Sequence, residues 1–380
     1  MQQHYAIGVM SGTSLDGLDL AWCCFQQHSS GWRGEILLAE TLSYTDEWVT
    51  RLRSAPELSA KDLAALHYDY GRYTGELVKD FIARNNIKEP GIIASHGHTV
   101  FHRPDLGYTL QIGSGAALAA QTGCTVVCDF RSLDVSLQGQ GAPLVPIGDQ
   151  YLFADYQYCL NLGGFANISF EENSTRVAFD ICPVNFVLNK LIRESKIAAE
   201  DYMQHLPADY PPQEPLKYDP SGVIASTGTI NQQLLEQLNS IAFYHTPGPK
   251  SLGEEWVNEV FLPLIINSNL SLPHLLRTLY EHMAHQIARC TRRLPGETML
   301  ITGGGAFNKF LISLIRQKLA PETAVVIPQQ ELINFKEALV FGFLGVLRVE
   351  ELPNTLSSVT GSLYNNIGGC VYLGGQKKTT

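Results

Sequence analysis

The sequence predicts an α/β protein with two lobes, each built on the element order β-β-β-α-β-α-β. Three observations lead to this prediction. Short apolar segments with strand character alternate with longer amphipathic segments, as in layered α/β folds. The same order of elements runs twice along the chain, which predicts two similar lobes and a central cleft where ligand sites are common. The 380 residues, 45% of them hydrophobic and 17% charged, suffice for two substantial cores.

The first lobe opens with a predicted hairpin, in which the apolar segments 5–9 and 18–25 flank a turn rich in Gly, Ser, Thr and Asp. A long amphipathic helix is predicted from Ser59 to about residue 85, because Ser59 and Asp62 form a capping box with Asp in place of the usual Glu. The other elements predicted here are strands 35–44, 91–95, 108–112 and 125–128 and a small-residue helix at 114–122.

The segment from Asp129 to Asp149 is predicted to join the lobes, since its Gly, Pro and acidic residues break both periodicities. We therefore expect an N-terminal lobe at 1–140 and a C-terminal lobe at 141–380. Residues 199–220, rich in Pro, Tyr and Asp, indicate a surface insertion. The second lobe is predicted to contain strands 158–162, 166–170, 176–180, 298–302 and 323–327, and helices 185–194, 231–240, 274–293, 306–319 and 335–350.

The turn of the first hairpin lies within Gly8–Asp19 (GVMSGTSLDGLD) and has the composition of a nucleotide-phosphate site. Gly12 and Gly17 lack a Cβ, so a ligand can approach the backbone there. Thr13 and Ser14 add hydroxyl groups, and consecutive N–H groups of a turn can form an anion-binding nest. We therefore interpret the hairpin as a binding site for nucleotide phosphates.

Two acids in this turn, Asp16 and Asp19, would repel phosphate on their own. They fit a phosphate site if a divalent cation, Mg²⁺, lies between carboxylate and phosphate, with Asp16 as the metal ligand. The alternative is an ordinary Ser/Gly-rich turn that Asp16 caps.

Further turns of the second half follow predicted strands and could contact a phosphate or a nucleoside through backbone N–H groups and helix N-termini. The strongest contains Gly303, Gly304 and Gly305 between a strand and a helix, where a flat base or ribose could lie against the backbone. None of these turns matches a Rossmann or a P-loop motif. Their sequences are NLGGFAN (161–167), FDICPVN (179–185) and TGGGAFN (302–308).

Asp180 ends a predicted apolar strand just before Pro183 and a helix. A carboxylate in that position could act as a general base toward water or a sugar hydroxyl. It could equally be the N-cap of the helix that begins near Pro183. The position alone does not decide between the two.

His96, His98 and His102 lie in the segment SHGHTVFHRP, and an H-x-H pair on a strand could hold Zn²⁺ for a metal-dependent hydrolase. No acidic ligand stands at a recognisable spacing, and such loop histidines could instead bind sugar hydroxyl groups or act as caps. Arg131 could hold a substrate carboxylate in a bidentate pair or form a hinge salt bridge. Glu337 lies near the start of the last predicted helix. Its negative charge could interact favourably with the helix dipole, or its side chain could face the cleft.

Charge and composition argue against several classes of protein. With 27 basic and 37 acidic residues the net charge is −10, which disfavours nucleic acids and anionic membranes as partners. No apolar stretch reaches membrane-spanning length, and the N-terminus lacks a signal-peptide pattern. The eight cysteines form no C-x-x-C pair and lie mostly in apolar segments. We therefore expect a reduced, cytoplasmic protein.

Seven motifs in this order, from Gly8 to about Gly345, resemble those of the anhydro-N-acetylmuramic acid kinases, members of the sugar kinase/Hsp70/actin superfamily. The resemblance covers nearly the whole chain and implies the two-lobe, actin-like ATPase fold. The motifs are GVMSGTSLDGLD, SHGHTVFHRP, DFR..D....GQGAPLVP, NLGGFANI, FD..P.N, TGGGAFN and KEAL..GFLG.

The resemblance implies an ATP- and Mg²⁺-dependent kinase that opens the ring of a 1,6-anhydro amino sugar from recycled cell wall and phosphorylates it. The product would be N-acetylmuramic acid 6-phosphate. A homodimer is possible. Asp180 would match the catalytic aspartate, Gly303–Gly305 the adenosine turn, and Thr99, Arg131 and Glu337 the substrate contacts. The ATP-phosphate segment would comprise Gly12, Thr13, Ser14, Leu15, Asp16, Gly17, Leu18 and Asp19.

One motif departs from the family pattern, because FDICPVN stands where the family usually has FDTGPGN. Cys182 and Val184 replace two glycines and are expected to narrow the space beside Asp180. Two alternatives follow from this change. The chain could phosphorylate another anhydrosugar such as levoglucosan, or it could bind nucleotide and sugar with little turnover.

Overall fold

The computed structural model describes residues 2–12, 15–29, 31–195, 215–292 and 294–375. Within these ranges the strands are β1 (Gln2–Ser11), β2 (Leu18–His28), β3 (Gly31–Leu42), β4 (Ile92–Ser95), β5 (His98–Arg103), β6 (Tyr108–Ile112), β7 (Val126–Cys128), β8 (Tyr158–Leu162), β9 (Phe165–Glu172), β10 (Thr175–Pro183), β11 (Glu297–Thr302), β12 (Thr323–Val326) and β13 (Cys370–Tyr372). The α-helices are α1 (Asp46–Arg53), α2 (Ala60–Arg84), α3 (Gly115–Thr122), α4 (Ser132–Ser136), α5 (Pro146–Leu152), α6 (Asn185–Ser195), α7 (Val223–Ser226), α8 (Gln232–Asn239), α9 (Glu254–Trp256), α10 (Leu262–Asn267), α11 (Leu272–Arg289), α12 (Lys309–Leu319), α13 (Gln330–Val349) and α14 (Ser357–Thr360).

The chain forms two compact units, residues 1–154 with 335–380, and residues 155–334. This corrects the predicted boundary at residue 140 and the assignment of the C-terminal residues to the second lobe. The physical reason is the packing of α13 on the first sheet. The backbone of α13 at Ala338 approaches Gly8 of β1 so closely that a Cβ at Gly8 would collide with the Ala338 carbonyl. Beside it, the buried rings of Phe25 and Phe343 lie 5.4 Å apart.

The main sheets of the two units have the same topology. In the first unit the strand order is β3-β2-β1-β4-β7, with β13 added at the edge beside β7. In the second unit it is β10-β9-β8-β11-β12. Both sheets pair their first three strands antiparallel and then add two parallel strands. The predicted duplication of an α/β unit is therefore confirmed in the order and direction of the strands.

The helix predicted from the capping box begins where expected. Ser59 Oγ accepts a hydrogen bond from the Asp62 N–H at 3.2 Å and donates to the Asp62 carboxylate at 2.7 Å. The short elements α1 and β13 were not predicted. Because β13 is a three-residue edge strand with exposed side chains, it leaves no alternating apolar pattern in the sequence. Of the predicted insertion, residues 199–214 lie outside the described residues.

Each unit has its own hydrophobic core. Ile7, Leu20 and Ile93 are among the buried residues of the first core, and Leu160 and Leu276 among those of the second. In the described part of the chain, no helix is both long and apolar enough to cross a bilayer.

The contact of α13 with β1 predicts that Gly8→Ala destabilises the protein. The new Cβ would collide with backbone, which cannot move aside as a flexible side chain can. We expect the free energy of unfolding to fall by about 3 kcal/mol or more, as measured by denaturant unfolding. Gly375→Ala is the control, because no atom lies within 4 Å of its Cβ position. Equal stability of the two variants would contradict the close contact.

Candidate active site

The phosphate-binding hairpin predicted from the sequence is formed by β1 and β2, which pair from Gln2 with Gln27 to Ser11 with Leu18. Thr13 and Ser14 of its turn lie outside the described residues. Leu15 has a φ of 59°, in the left-handed region. A Cβ at Gly17 would lie 2.7 Å from the carbonyl oxygen of Leu42, so β3 closes behind the turn and leaves room only for glycine.

Two acids of the turn, Asp16 and Asp19, lie close enough to interact. Burial raises the pKa of the Asp19 carboxyl group, and the negative charge of Asp16 raises it further, against a hydrogen bond from Thr41. The Thr41 Oγ1 donates to Asp19 at 2.5 Å, across the register of β2 and β3. A partly buried carboxylate with a second one nearby is a donor set that fits a hard divalent cation such as Mg²⁺.

A chain of buried hydroxyl groups supports the end of β1 just before Gly12. The Tyr44 hydroxyl donates to Ser11 Oγ at 2.8 Å and lies 2.6 Å from the Tyr70 hydroxyl. Ser11 Oγ in turn lies 3.2 Å from Nδ1 of His98. The chain links β1 to β5 and α2. No motif in the sequence predicted it, since its members are far apart along the chain.

The predicted substrate contacts Arg131 and Glu337 lie together in the first unit. Desolvation raises the pKa of the Glu337 carboxyl group and the opposing charge of Arg131 lowers it by less, although the residue as a whole is exposed. Burial lowers the pKa of Arg131 to about 10, although the negative charge of Glu337 raises it in part. Asp19 also acts on Glu337, so the phosphate hairpin and these two residues form one electrostatic cluster. Thr99 lies on β5, where its Oγ1 accepts a 3.4 Å hydrogen bond from Gln111 of β6.

The hydrogen bonds of Arg131 differ from the hinge salt bridge considered from the sequence. Arg131 donates to the Gly141 carbonyl at 2.6 Å and to Nε2 of His96. The neighbouring Asp134 is fully buried and accepts hydrogen bonds from Gly141 N–H and, at 2.8 Å, from Thr360 Oγ1. Asp134 therefore fixes the C-terminal segment to the loop after α4.

The zinc site considered for the three histidines is not supported by the geometry. Nε2 of His96 accepts from the Arg131 guanidinium, and Nδ1 of His98 lies beside Ser11. His102 is exposed and contacts Thr109. Across the described ranges, no group of three or more His, Cys, Asp or Glu side chains is arranged to hold a metal ion.

Asp180 lies in β10 of the second unit, where the register with β9 shifts between Asp180 and Cys182. Its backbone N–H donates to the Lys250 carbonyl at 2.9 Å, and its Oδ2 accepts from the Leu252 N–H at 2.8 Å. The helix N-cap interpretation is therefore wrong, because the carboxylate binds the 250–252 loop and α6 begins only at Asn185. Burial raises the pKa of Asp180, against the hydrogen bond from Leu252.

The three turns of the second unit that the sequence indicates as ligand contacts meet at one place. The N–H groups of Val184 and Phe186 donate to the Gly164 carbonyl at 2.8 and 3.1 Å. Asn185 Nδ2 donates to the carbonyl of Leu162 at 3.3 Å. The turn after β10 is thus tied to the β8–β9 turn by both backbone and side chain.

The glycines of the third turn, 302–308, have different surroundings. Gly303 has a φ of 80°, and a Cβ there would lie 2.5 Å from Asn161 Oδ1. A Cβ at Gly305 would lie 2.7 Å from Cβ of Leu162. Gly304 has open space, with Asn185 Nδ2 the nearest atom at 3.7 Å. Gly303 and Gly305 are therefore required by packing, whereas Gly304 leaves a bare backbone surface for a ligand.

Cys182 and Val184, the two departures from the family motif, are both 0% exposed and belong to the core of the second unit. Their side chains pack among apolar neighbours and present no surface to a ligand. The expectation that they narrow the space beside Asp180 is therefore not supported.

A family model described as anhydro-N-acetylmuramic acid kinase matches residues 4–374. The chain belongs to this family. Among similar proteins, an anhydro-N-acetylmuramic acid kinase of Saccharophagus degradans is 33% identical, over 98% of this chain and all of that one. One of Hydrogenovibrio crunogenus is 32% identical, over 96% of this chain and 97% of that one.

A similar solved structure is the activator of 2-hydroxyisocaproyl-CoA dehydratase from Clostridium difficile with bound ADPNP. It is 10% identical with a TM-score of 0.40, and the match covers 91% of this chain and 97% of that one.

The environment of Asp180 predicts that Asp180→Asn stabilises the protein at neutral pH. A carboxyl group whose pKa is raised by folding contributes stability at low pH that is lost as pH rises through the folded-state value. The amide keeps an acceptor for Leu252 and removes a partly buried charge. We expect Tm to rise by about 2 °C or more at pH 7 and the gain to shrink toward pH 4.

The control for this measurement is Asp105→Asn, which removes an exposed carboxylate paired with Arg103. It should give no increase in Tm. A lower Tm for Asp180→Asn at pH 7 would show that the carboxylate stabilises the native state.

Proposed function

We propose that the protein is a kinase that uses ATP to open the anhydro ring of 1,6-anhydro-N-acetylmuramic acid and to phosphorylate it, giving N-acetylmuramic acid 6-phosphate and ADP. The observation that carries this proposal is the match of the family model to residues 4–374. The surroundings of the individual site residues support it.

Asp180 is proposed as the general base. The six-oxygen of the substrate is locked in an ether and has no proton to lose, so the base must act on water. Asp180 takes a proton from water, the water oxygen attacks the anomeric carbon, and the bond from that carbon to the six-oxygen breaks. The six-oxygen keeps the electron pair and bonds to the γ-phosphorus of ATP, while the bond from that phosphorus to the bridging oxygen breaks and ADP leaves. One backbone hydrogen bond orients the carboxylate, leaving other lone pairs for water.

The hairpin segment Gly12–Asp19 is proposed to bind the ATP phosphates, and Gly303–Gly305 the adenosine. Gly304 supports the second assignment, because its face is open while its neighbours are packed. Asp16, with Asp19 beside it, is proposed to hold Mg²⁺. When bound, Mg²⁺ neutralises charge on the β- and γ-phosphate oxygens.

Arg131, Glu337 and Thr99 are proposed to contact the sugar. Muramic acid carries a lactyl carboxylate, which a guanidinium can bind in a bidentate pair. Glu337 can accept hydrogen bonds from sugar hydroxyl groups. Since Cys182 and Val184 are buried, no contact of theirs favours levoglucosan or a protein without turnover. It remains a prediction that the protein can form a homodimer and that it is located in the cytoplasm.

Asp180→Asn should reduce turnover strongly, since a positioned general base contributes about 10²- to 10⁴-fold. The measurement is ADP release with MgATP and 1,6-anhydro-N-acetylmuramic acid, together with the appearance of the 6-phosphate product. Asp105→Asn serves as the control with an intact site. Unchanged ADP release in Asp180→Asn would remove this residue from the mechanism.

Asp16→Asn should weaken the use of Mg²⁺, because one of the proposed carboxylate contacts to the cation is lost. We expect the Mg²⁺ concentration for half-maximal rate to rise about tenfold or more, with much of the maximal rate recovered at high Mg²⁺. Asp46→Asn, an exposed acid in the first turn of α1, should leave the Mg²⁺ dependence as in the wild type. An identical Mg²⁺ titration for both variants would exclude Asp16 as a metal ligand.

A further inference from the structure

We propose that His96 is a positioning residue that holds the Arg131 guanidinium in the orientation needed to bind the substrate carboxylate. The inference rests on the proposed function. It gives a role to His96, which does not belong to a zinc site. It is carried by the contacts of His96 with three separate parts of the first unit.

The first contact is with Arg131 itself. Its Nε and Nη2 both direct hydrogens at Nε2 of His96, at 3.1 and 2.9 Å, and its Nη1 donates to the Gly141 carbonyl at 2.6 Å. These bonds use three of the five N–H groups of a guanidinium. One N–H remains on each terminal nitrogen, so the guanidinium keeps two donors for a substrate carboxylate.

The second contact fixes the proton on the histidine ring. Nδ1 of His96 lies 2.9 Å from the Gly97 carbonyl, which can only accept, so Nδ1 carries the hydrogen and Nε2 is the acceptor. Burial and the Arg131 charge lower the pKa of His96 to about 3. The ring therefore stays neutral and can accept from a cation.

The third contact fixes the ring in space. The His96 backbone N–H donates to the Val9 carbonyl of β1 at 3.0 Å. The ring lies edge-on against Phe341 of α13, with centroids 4.8 Å apart. Glu337 and Phe341 are four residues apart and share a face of that helix. His96 therefore fits between the strand of the phosphate hairpin and the helix that carries Glu337.

Two substitutions separate positioning of Arg131 from a general structural role. His96→Gln can place an amide oxygen near the Nε2 position and so restore the acceptor for Arg131. His96→Asn is shorter, so it can restore only the contact with Gly97. We expect His96→Asn to raise KM for 1,6-anhydro-N-acetylmuramic acid about tenfold or more, and His96→Gln less than about threefold, with KM for ATP unchanged.

The matched control is His282→Gln in the second unit. His282 is also buried, and its Nδ1 lies 2.7 Å from Asn239 Oδ1. Its replacement should lower Tm with no change in KM for the sugar. If His96 had only a structural role, its variants would behave like His282→Gln, and Asn would be tolerated at least as well as Gln.

A double-mutant cycle with Arg131→Met tests whether His96 acts through Arg131. In that background His96→Asn should change KM for the sugar by less than about twofold, because the group that His96 positions is gone. An undiminished effect of His96→Asn in the Arg131→Met background would overturn the inference, as would equal KM values for wild type, His96→Asn and His96→Gln. A wild-type protein without turnover of this sugar would instead overturn the proposed function.

Discussion

The site in the first unit depends on one close contact, that between the backbones of β1 and α13 at Gly8 and Ala338. Without a side chain at Gly8, the helix lies directly against the strand that leads into the phosphate turn. Glu337 precedes Ala338, so this contact brings its carboxylate into the cluster with Asp19 and Arg131. A residue from near the end of the sequence thereby joins the hairpin at its start.

Desolvation without full charge compensation is a property that three of the candidate carboxyl groups share. It raises the pKa of Asp19 and Glu337 in the first unit and of Asp180 in the second. Such groups destabilise the folded protein when ionised at neutral pH. The same property prepares them for ligands, because donors and cations that arrive with the substrates interact strongly with carboxylates that are already partly removed from water.

The parts of the fold that local sequence determines could be predicted. The hairpin, the capping box at Ser59 and the repeated order of strands depend on residues close together in the chain. The return of α13 to the first unit could not be predicted, since no local pattern reports a contact between Gly8 and Ala338. The same holds for Asp180 with the 250–252 loop, and for the contact of His96 with Arg131. Each depends on tertiary packing between segments far apart in sequence.

The discontinuity of the first unit has a consequence for biosynthesis. Residues 155–334 form a continuous unit and leave the ribosome before Phe335, whereas the first unit also needs residues from Phe335 onward. Domains generally fold as units during translation. The middle of the polypeptide can therefore complete its core while the N-terminal sheet still lacks the helix that covers Gly8, and the nascent chain exposes that apolar face until the last segment emerges.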